Sequence, residues 1–126
     1  MGARMDLRID IEKDIAYLKL SGKIDKDTFL YTFELTVSDE NYKKGMGRLW
    51  DLRDANLSCL QSKTLVEIAQ YPNKFPAGIN DVKVAFVAHR DIEFGLARMV
   101  EMSSLGATEI RVFRTMDQAK EWMTEP

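Results

Sequence analysis

Polar and apolar residues alternate from the start of the chain. Leu7, Ile9 and Ile11 are interleaved with Arg8 and Asp10, and Ile15-Ala16-Tyr17-Leu18-Lys19-Leu20 follows the charged triplet Glu12-Lys13-Asp14. Alternation on both sides of a short polar turn predicts an antiparallel hairpin with one wet face, and so an exposed sheet edge at this end. Three later strand-like runs read differently. Arg48-Leu49-Trp50-Asp51-Leu52 and Ile110-Arg111-Val112-Phe113 are short, while the stretch 82–88 is apolar throughout except for Lys83. An unbroken apolar strand is buried on both faces, which predicts 82–88 as the centre of the sheet.

The intervening segments carry helical spacing and helical punctuation. Leu65, Ile68 and Ala69 fall at i, i+3 and i+4, with Ser62 placed as N-cap and Pro72 ending the helix near Tyr71. Ile92, Leu96, Met99 and Val100 form a second stripe, beside which Gly95 suggests close approach of a neighbouring element. Thr115-Met116-Asp117-Gln118 fits a capping box, followed by Ala119, Trp122 and Met123 as a buried face. The stretch 29–38 is ambiguous: at period two it separates Phe29, Tyr31, Phe33, Leu35 and Val37 from its polar residues, whereas the helical count gives only Phe29, Leu30, Phe33 and Val37. Helix is chosen because Asp25 can cap it and because parallel strands on either side require a crossover.

The predicted order is β-β-α-β-α-β-α-β-α, an α/β fold with a mixed sheet whose later strands are mainly parallel and connected by crossover helices. With 126 residues, 45% of them hydrophobic, the chain supports one domain over 1–126, with a core spanning about 5–123. Eighteen Lys plus Arg against 20 Asp plus Glu leaves a net charge of −2, which lacks the basic footprint of a nucleic-acid binder. The single cysteine, Cys59, permits no internal disulfide, and the polar start Met1-Gly2-Ala3-Arg4 has no signal-peptide core, so a cytoplasmic location is expected. No apolar run approaches the roughly 20 residues of a membrane-spanning helix.

Several segments taken in order resemble a known family. They are Leu20-Ser21-Gly22-Lys23-Ile24, Trp50-Asp51-Leu52-Arg53-Asp54-Ala55, Val82-Lys83-Val84-Ala85-Phe86-Val87, Gly95-Leu96-Ala97-Arg98-Met99, and Arg111-Val112-Phe113-Arg114 leading to Ala119 and Trp122. Together they are similar to the STAS fold of anti-sigma factor antagonists, and more closely to the SpoIIAA-like proteins, whose fold is related to the lipid-binding CRAL-TRIO domains. The resemblance implies the STAS-like sheet and a binding or regulatory role, and it brings no catalytic residues. In STAS antagonists a serine in an Asp-Ser-x-Gly pattern, at the start of the helix after the third strand, is phosphorylated. Ser62 is the nearest match, with Gln61 before it and Thr64 where the glycine stands, and Ser58 and Thr64 are the neighbouring hydroxyls. A phosphate there adds about −1.5 to −2 charges at a helix start and repels an acidic partner.

Independently of that resemblance, loops at the carboxyl ends of parallel strands are the usual ligand sites. They hold Asp51, Arg53 and Asp54 after one strand and His89, Arg90 and Asp91 after the next, which are either solvated loop charges or an acid-base or ligand site. Lys44-Gly45-Met46-Gly47 precedes a strand instead of opening a helix, unlike a phosphate loop. Cys59 reads either as a packing residue or as a thiol activated by the helix start, and the seven methionines either as core or as lining of an apolar pocket.

No metal or cofactor is expected. The first functional expectation is a non-enzymatic STAS-like module that binds a protein partner near Ser62. The alternative is a carrier of a small apolar ligand or lipid held beneath Phe29, Phe33, Leu96 and Met99. An enzyme pairing His89 with Asp51 ranks last, and a homodimer through the first hairpin's edge is compatible with any of them.

Overall fold

A computed structural model describes residues 2–126. The strands are β1 (Arg4–Asp10), β2 (Ile15–Lys23), β3 (Gly47–Asn56), β4 (Lys83–Val87) and β5 (Glu109–Phe113). The helices are α1 (Lys26–Val37), α2 (Ser62–Gln70), α3 (Asp91–Met102) and α4 (Met116–Met123), and a 3-10 turn over Tyr71–Lys74 follows α2. The sheet runs β1-β2-β3-β4-β5, antiparallel only between β1 and β2. This is the predicted element order. The hairpin turns where Asp14 adopts φ 61°, and β1 forms one sheet edge as its alternation required.

The sheet centre is β3, not the 82–88 run. The apolar run of β4 instead reports cover on both faces. One layer, made by α1, α2 and α3, buries Phe29, Phe33, Leu65, Ile68, Ala97 and Val100 against Leu18, Trp50, Leu52, Val84 and Phe86. On the opposite face α4 alone packs Ala119 and Trp122 against Ile15, Leu49, Ala85 and Val87. In β2 the α4 layer reaches Ile15 and Tyr17. Arg48 and Asp51 interrupt the apolar pattern of β3 although both are buried, so the strand was found but its central position was not.

The ambiguous segment is helical, and its chemistry explains why. Asp25 caps it by accepting from the Thr28 N–H at 2.8 Å. The buried residues are Phe29, Thr32, Phe33 and Thr36 instead of Leu30 and Val37, because Thr32 and Thr36 donate their hydroxyls to the carbonyls of Thr28 and Thr32, both at 2.7 Å. Threonines bonded to the preceding turn are compatible with an apolar face. Phe29 then stacks on Trp50 with ring centroids 4.2 Å apart, and Phe33 meets Tyr71 and Phe75 edge-on.

Candidate functional site

Sequence reasoning placed its hydroxyl candidates around the start of α2, and the structure separates them. Ser62 is not the N-cap. Gln61 holds that position without a side-chain bond, and Ser62 is the first helical residue, exposed to solvent. Ser58 is bound in an Asx-type turn, where Asn56 Oδ1 accepts from its N–H at 3.0 Å and its hydroxyl at 2.6 Å. Thr64 is half-buried. Cys59 is exposed, not packed, and its thiol donates to the Ile24 carbonyl at 3.1 Å. Of the three hydroxyls, only Ser58 lines the open groove at the ends of β3 and β4, together with Asn56, Arg90, Asp91, Ile92 and Glu93.

Glu93, which the sequence reading had passed over, is what holds that groove. Its side chain is buried at the first turn of α3, where Oε2 accepts from the Leu57 N–H at 3.2 Å and Oε1 meets Arg90 Nε at 3.0 Å. Arg90 in turn donates to the Ala55 carbonyl at 2.7 Å. One carboxylate and one guanidinium thus tie the start of α3 to the loop carrying Ser58.

This inward carboxylate also turns the helix. The buried residues of α3 are Glu93, Ala97 and Val100, so Ile92 is 63% exposed, Met99 39% and Met102 74%. The expected stripe is therefore rotated: of its four residues Val100 is buried, Leu96 half-buried, and Ile92 and Met99 face water. Gly95 lies between those two on the outer face, and a Cβ there would meet nothing within 4 Å. It does not serve close packing inside the protein. The outcome is a row of Ile92, Gly95, Met99 and Met102 at i, i+3, i+7 and i+10, facing outward, with Leu105 exposed just beyond the helix.

Besides the groove at Arg90 and Asp91, the charged strand ends line two more, with Arg53 on the border between them. Relative to β2, strand β3 carries one extra residue between Asp51 and Asp54, and at this bulge Asp51 folds back onto Arg53. Its Oδ1 accepts from the Arg53 N–H and Nε at 3.1 and 2.9 Å, and Oδ2 accepts from Nη2 at 2.9 Å. Burial pushes the Asp51 carboxyl up, but the Arg53 hydrogen bonds and charge, together with Lys19, outweigh it and hold the group below its ordinary value. Asp54 pairs with Lys19 at 3.4 Å. Asp51 and Arg53 line a cleft beside α4 with Asp6, Arg8, Tyr17, Lys19 and Lys120. The exposed His89 lines a different groove with Arg53, Arg114, Thr115 and Asp117, while its carbonyl accepts from Arg114 at 3.0 Å. The structure does not bring His89 and Asp51 into one groove, and both Asp51 oxygens are engaged by Arg53. Among the described residues, no group of three His, Cys, Asp or Glu side chains is placed to hold a metal ion.

Space beneath the helices decides how the apolar interior is read. Cavities of about 20 and 10 Å³ lie between the sheet and α1, α2 and α3. Sites for organic ligands occupy about 300–1,000 Å³. Phe29 and Phe33 line the larger cavity and Leu96 the smaller, but Met99, expected to line a ligand pocket, is on the outside. Among the described residues, no helix is long and apolar enough to cross a membrane.

No protein-family model and no curated protein matches the sequence. Among solved structures, this fold is similar to that of an uncharacterized protein of the DUF3478 family from Shewanella loihica PV-4, described as having a SpoIIAA-like fold. The TM-score is 0.58 with 16% identical residues, and the match covers 97% of this chain and 94% of that one. The mixed five-stranded sheet, its single antiparallel edge pair and its helical layers are thus those of a SpoIIAA-like fold.

Proposed function

We propose that this chain is a non-enzymatic, STAS-like regulatory module that binds a protein partner through the outer face of α3 and the adjoining Ser58 loop. The observation that carries this reading is where the apolar side chains of α3 lie. The interior beneath the helices is packed down to a cavity of about 20 Å³, while Ile92, Met99 and Met102 are displayed to water on either side of Gly95. Exposed apolar side chains in contiguous rows mark protein contacts, and methionine suits an adaptable one. The missing side chain at Gly95 leaves a notch into which an apolar partner residue can reach the helix backbone. The partner proposed is accordingly a protein presenting an apolar segment. The hydroxyl of Ser58, at the polar rim beside Asp91 and Glu93, is where a phosphate would oppose an acidic flank of that segment.

Two features support the non-enzymatic part. Asp51 is committed to Arg53, and His89 shares no groove with it. The carrier alternative is disfavoured by the size of the cavities.

The test is affinity capture with matched variants. The I92E/M99E protein is expected to lose a partner that the wild type and the α4 surface variant E121K both retain. Capture that is equal in all three overturns the reading. So does a wild-type dimer in light scattering that I92E/M99E dissolves, which would assign this face to a second copy.

A further inference from the structure

Arg48, in the second position of the central strand β3, is only 1% exposed. Its Nη1 donates to Tyr42 Oη at 2.8 Å and to the Ile79 carbonyl at 2.9 Å, and its guanidinium lies 4.7 Å from the Phe33 ring centroid. Among the described residues, no atom accepts from Nε or Nη2, although both are buried. Among the described residues, no carboxylate lies within ion-pair distance of it. All its partners are neutral. Arginine does not give up its proton at any pH at which proteins stay folded, so proton loss cannot remove this charge. A buried charge is ordinarily met by an opposite charge as well as by hydrogen bonds.

Arg48 lines the cavity of about 20 Å³, together with Phe29, Phe33, Trp50, Phe86 and Ile110. That volume accommodates one water molecule or one ion of similar size. Of the other wall residues only Thr108, Tyr71 and Trp50 carry polar side-chain atoms, and the Thr108 hydroxyl is engaged with the Asn80 carbonyl. A water molecule would satisfy the two N–H groups and leave the charge unmatched, whereas a small anion satisfies both.

We propose that the cavity beside Arg48 is a binding site for one monovalent anion of halide size, held by Nε and Nη2. Its volume excludes sulfate and organic acids. The site is internal and stands apart from the partner-binding face of α3, so either proposal can fail without the other.

Bromide is the probe. Crystals of the wild-type protein soaked in sodium bromide are expected to show an anomalous peak in this cavity, within hydrogen-bond reach of Nε and Nη2. In solution, the melting midpoint of the wild type is expected to rise by a few degrees over a roughly hundredfold increase in chloride or bromide. Sodium sulfate at the same ionic strength should give no such rise, and the halide response should be lost in R48M. Bromide found only at the surface is an adventitious ion only and overturns the proposal, as does a halide response equal in wild type and R48M. If R48M does not fold, the wild-type diffraction result decides alone.

Discussion

Replacing Glu93 with alanine tests whether the carboxylate turned into the protein holds the α3 groove together. The substitution removes the acceptor for the Leu57 N–H, a contact at 3.2 Å in a buried setting, and the partner of Arg90 at 3.0 Å. Leaving a buried N–H without an acceptor costs about 1–3 kcal/mol. The Arg90 side chain is 53% exposed, so its ion pair adds about 0–1 kcal/mol. The expected loss is therefore about 2–3 kcal/mol, which for a domain of this length lowers the melting midpoint by on the order of 10 °C. Urea denaturation at neutral pH measures it, with an unchanged m-value showing that the denatured state is not altered. Glu93→Gln keeps an acceptor for Leu57 and gives up only the charge, so it should lose about 1 kcal/mol. If Glu93→Ala loses less than about 0.5 kcal/mol, the buried hydrogen bond does not carry the weight assigned to it.

Three further outcomes follow from the same structure. Gly95→Ala, at an open helical position, should stabilise the free protein by about 0.5–1 kcal/mol in urea melts while weakening partner capture; stabilisation with capture unchanged removes the notch from the interface. Trp122→Ala empties the small core under α4, where Trp122 packs 5.7 Å from the Phe113 ring, and should cost about 3–5 kcal/mol in the same assay; a loss below about 1.5 kcal/mol would mean that α4 is not held by this anchor. Arg53→Met removes the main groups that lower the Asp51 carboxyl. A depressed carboxyl stabilises the fold above the unfolded-state value of about 4 and loses that contribution as pH falls through the lowered folded-state value, so the stability gap between wild type and variant should be wide at pH 7 and shrink as the pH is taken below about 4. A gap that does not change with pH refutes this account.

The element order was legible because most elements obey a single periodicity. The N-terminal hairpin alternates cleanly and turns where charged residues cluster, and the final helix has the Thr115 cap, which accepts from the Gln118 N–H at 3.2 Å. Two of the misread details share one physical origin, polar groups taken inside the protein. Thr32 and Thr36 face the core through bonds to their own helix, which displaced the expected face of α1. Arg48 and Asp51 are buried within β3, which concealed its central place in the sheet. Ser62 had the chemistry of a cap, but the chain enters α2 through Gln61, anchored by the buried Leu57 and Leu60 beside it. A scale of apolar positions counts Thr32, Thr36, Arg48 and Asp51 as outside, because the groups they bond to lie elsewhere in the sequence or in the backbone.

Helix α3 carries this reasoning furthest. Its sequence admits two faces: one through Ile92, Leu96 and Met99, which is the more apolar, and one through Glu93, Ala97 and Val100, which is the one buried. Burying the first would gain more apolar area, at about 25 cal/mol per Å², but would leave Glu93 in water and the Leu57 N–H without its acceptor. The chosen face therefore depends on a specific hydrogen bond, and the apolar residues it leaves outside contribute little to folding. Substituting Ile92 or Met102, 63% and 74% exposed, with glutamate should accordingly change stability by less than about 0.5 kcal/mol, as at other surface positions. A loss of partner capture in those variants then reports on recognition, because the fold does not need these side chains where they stand.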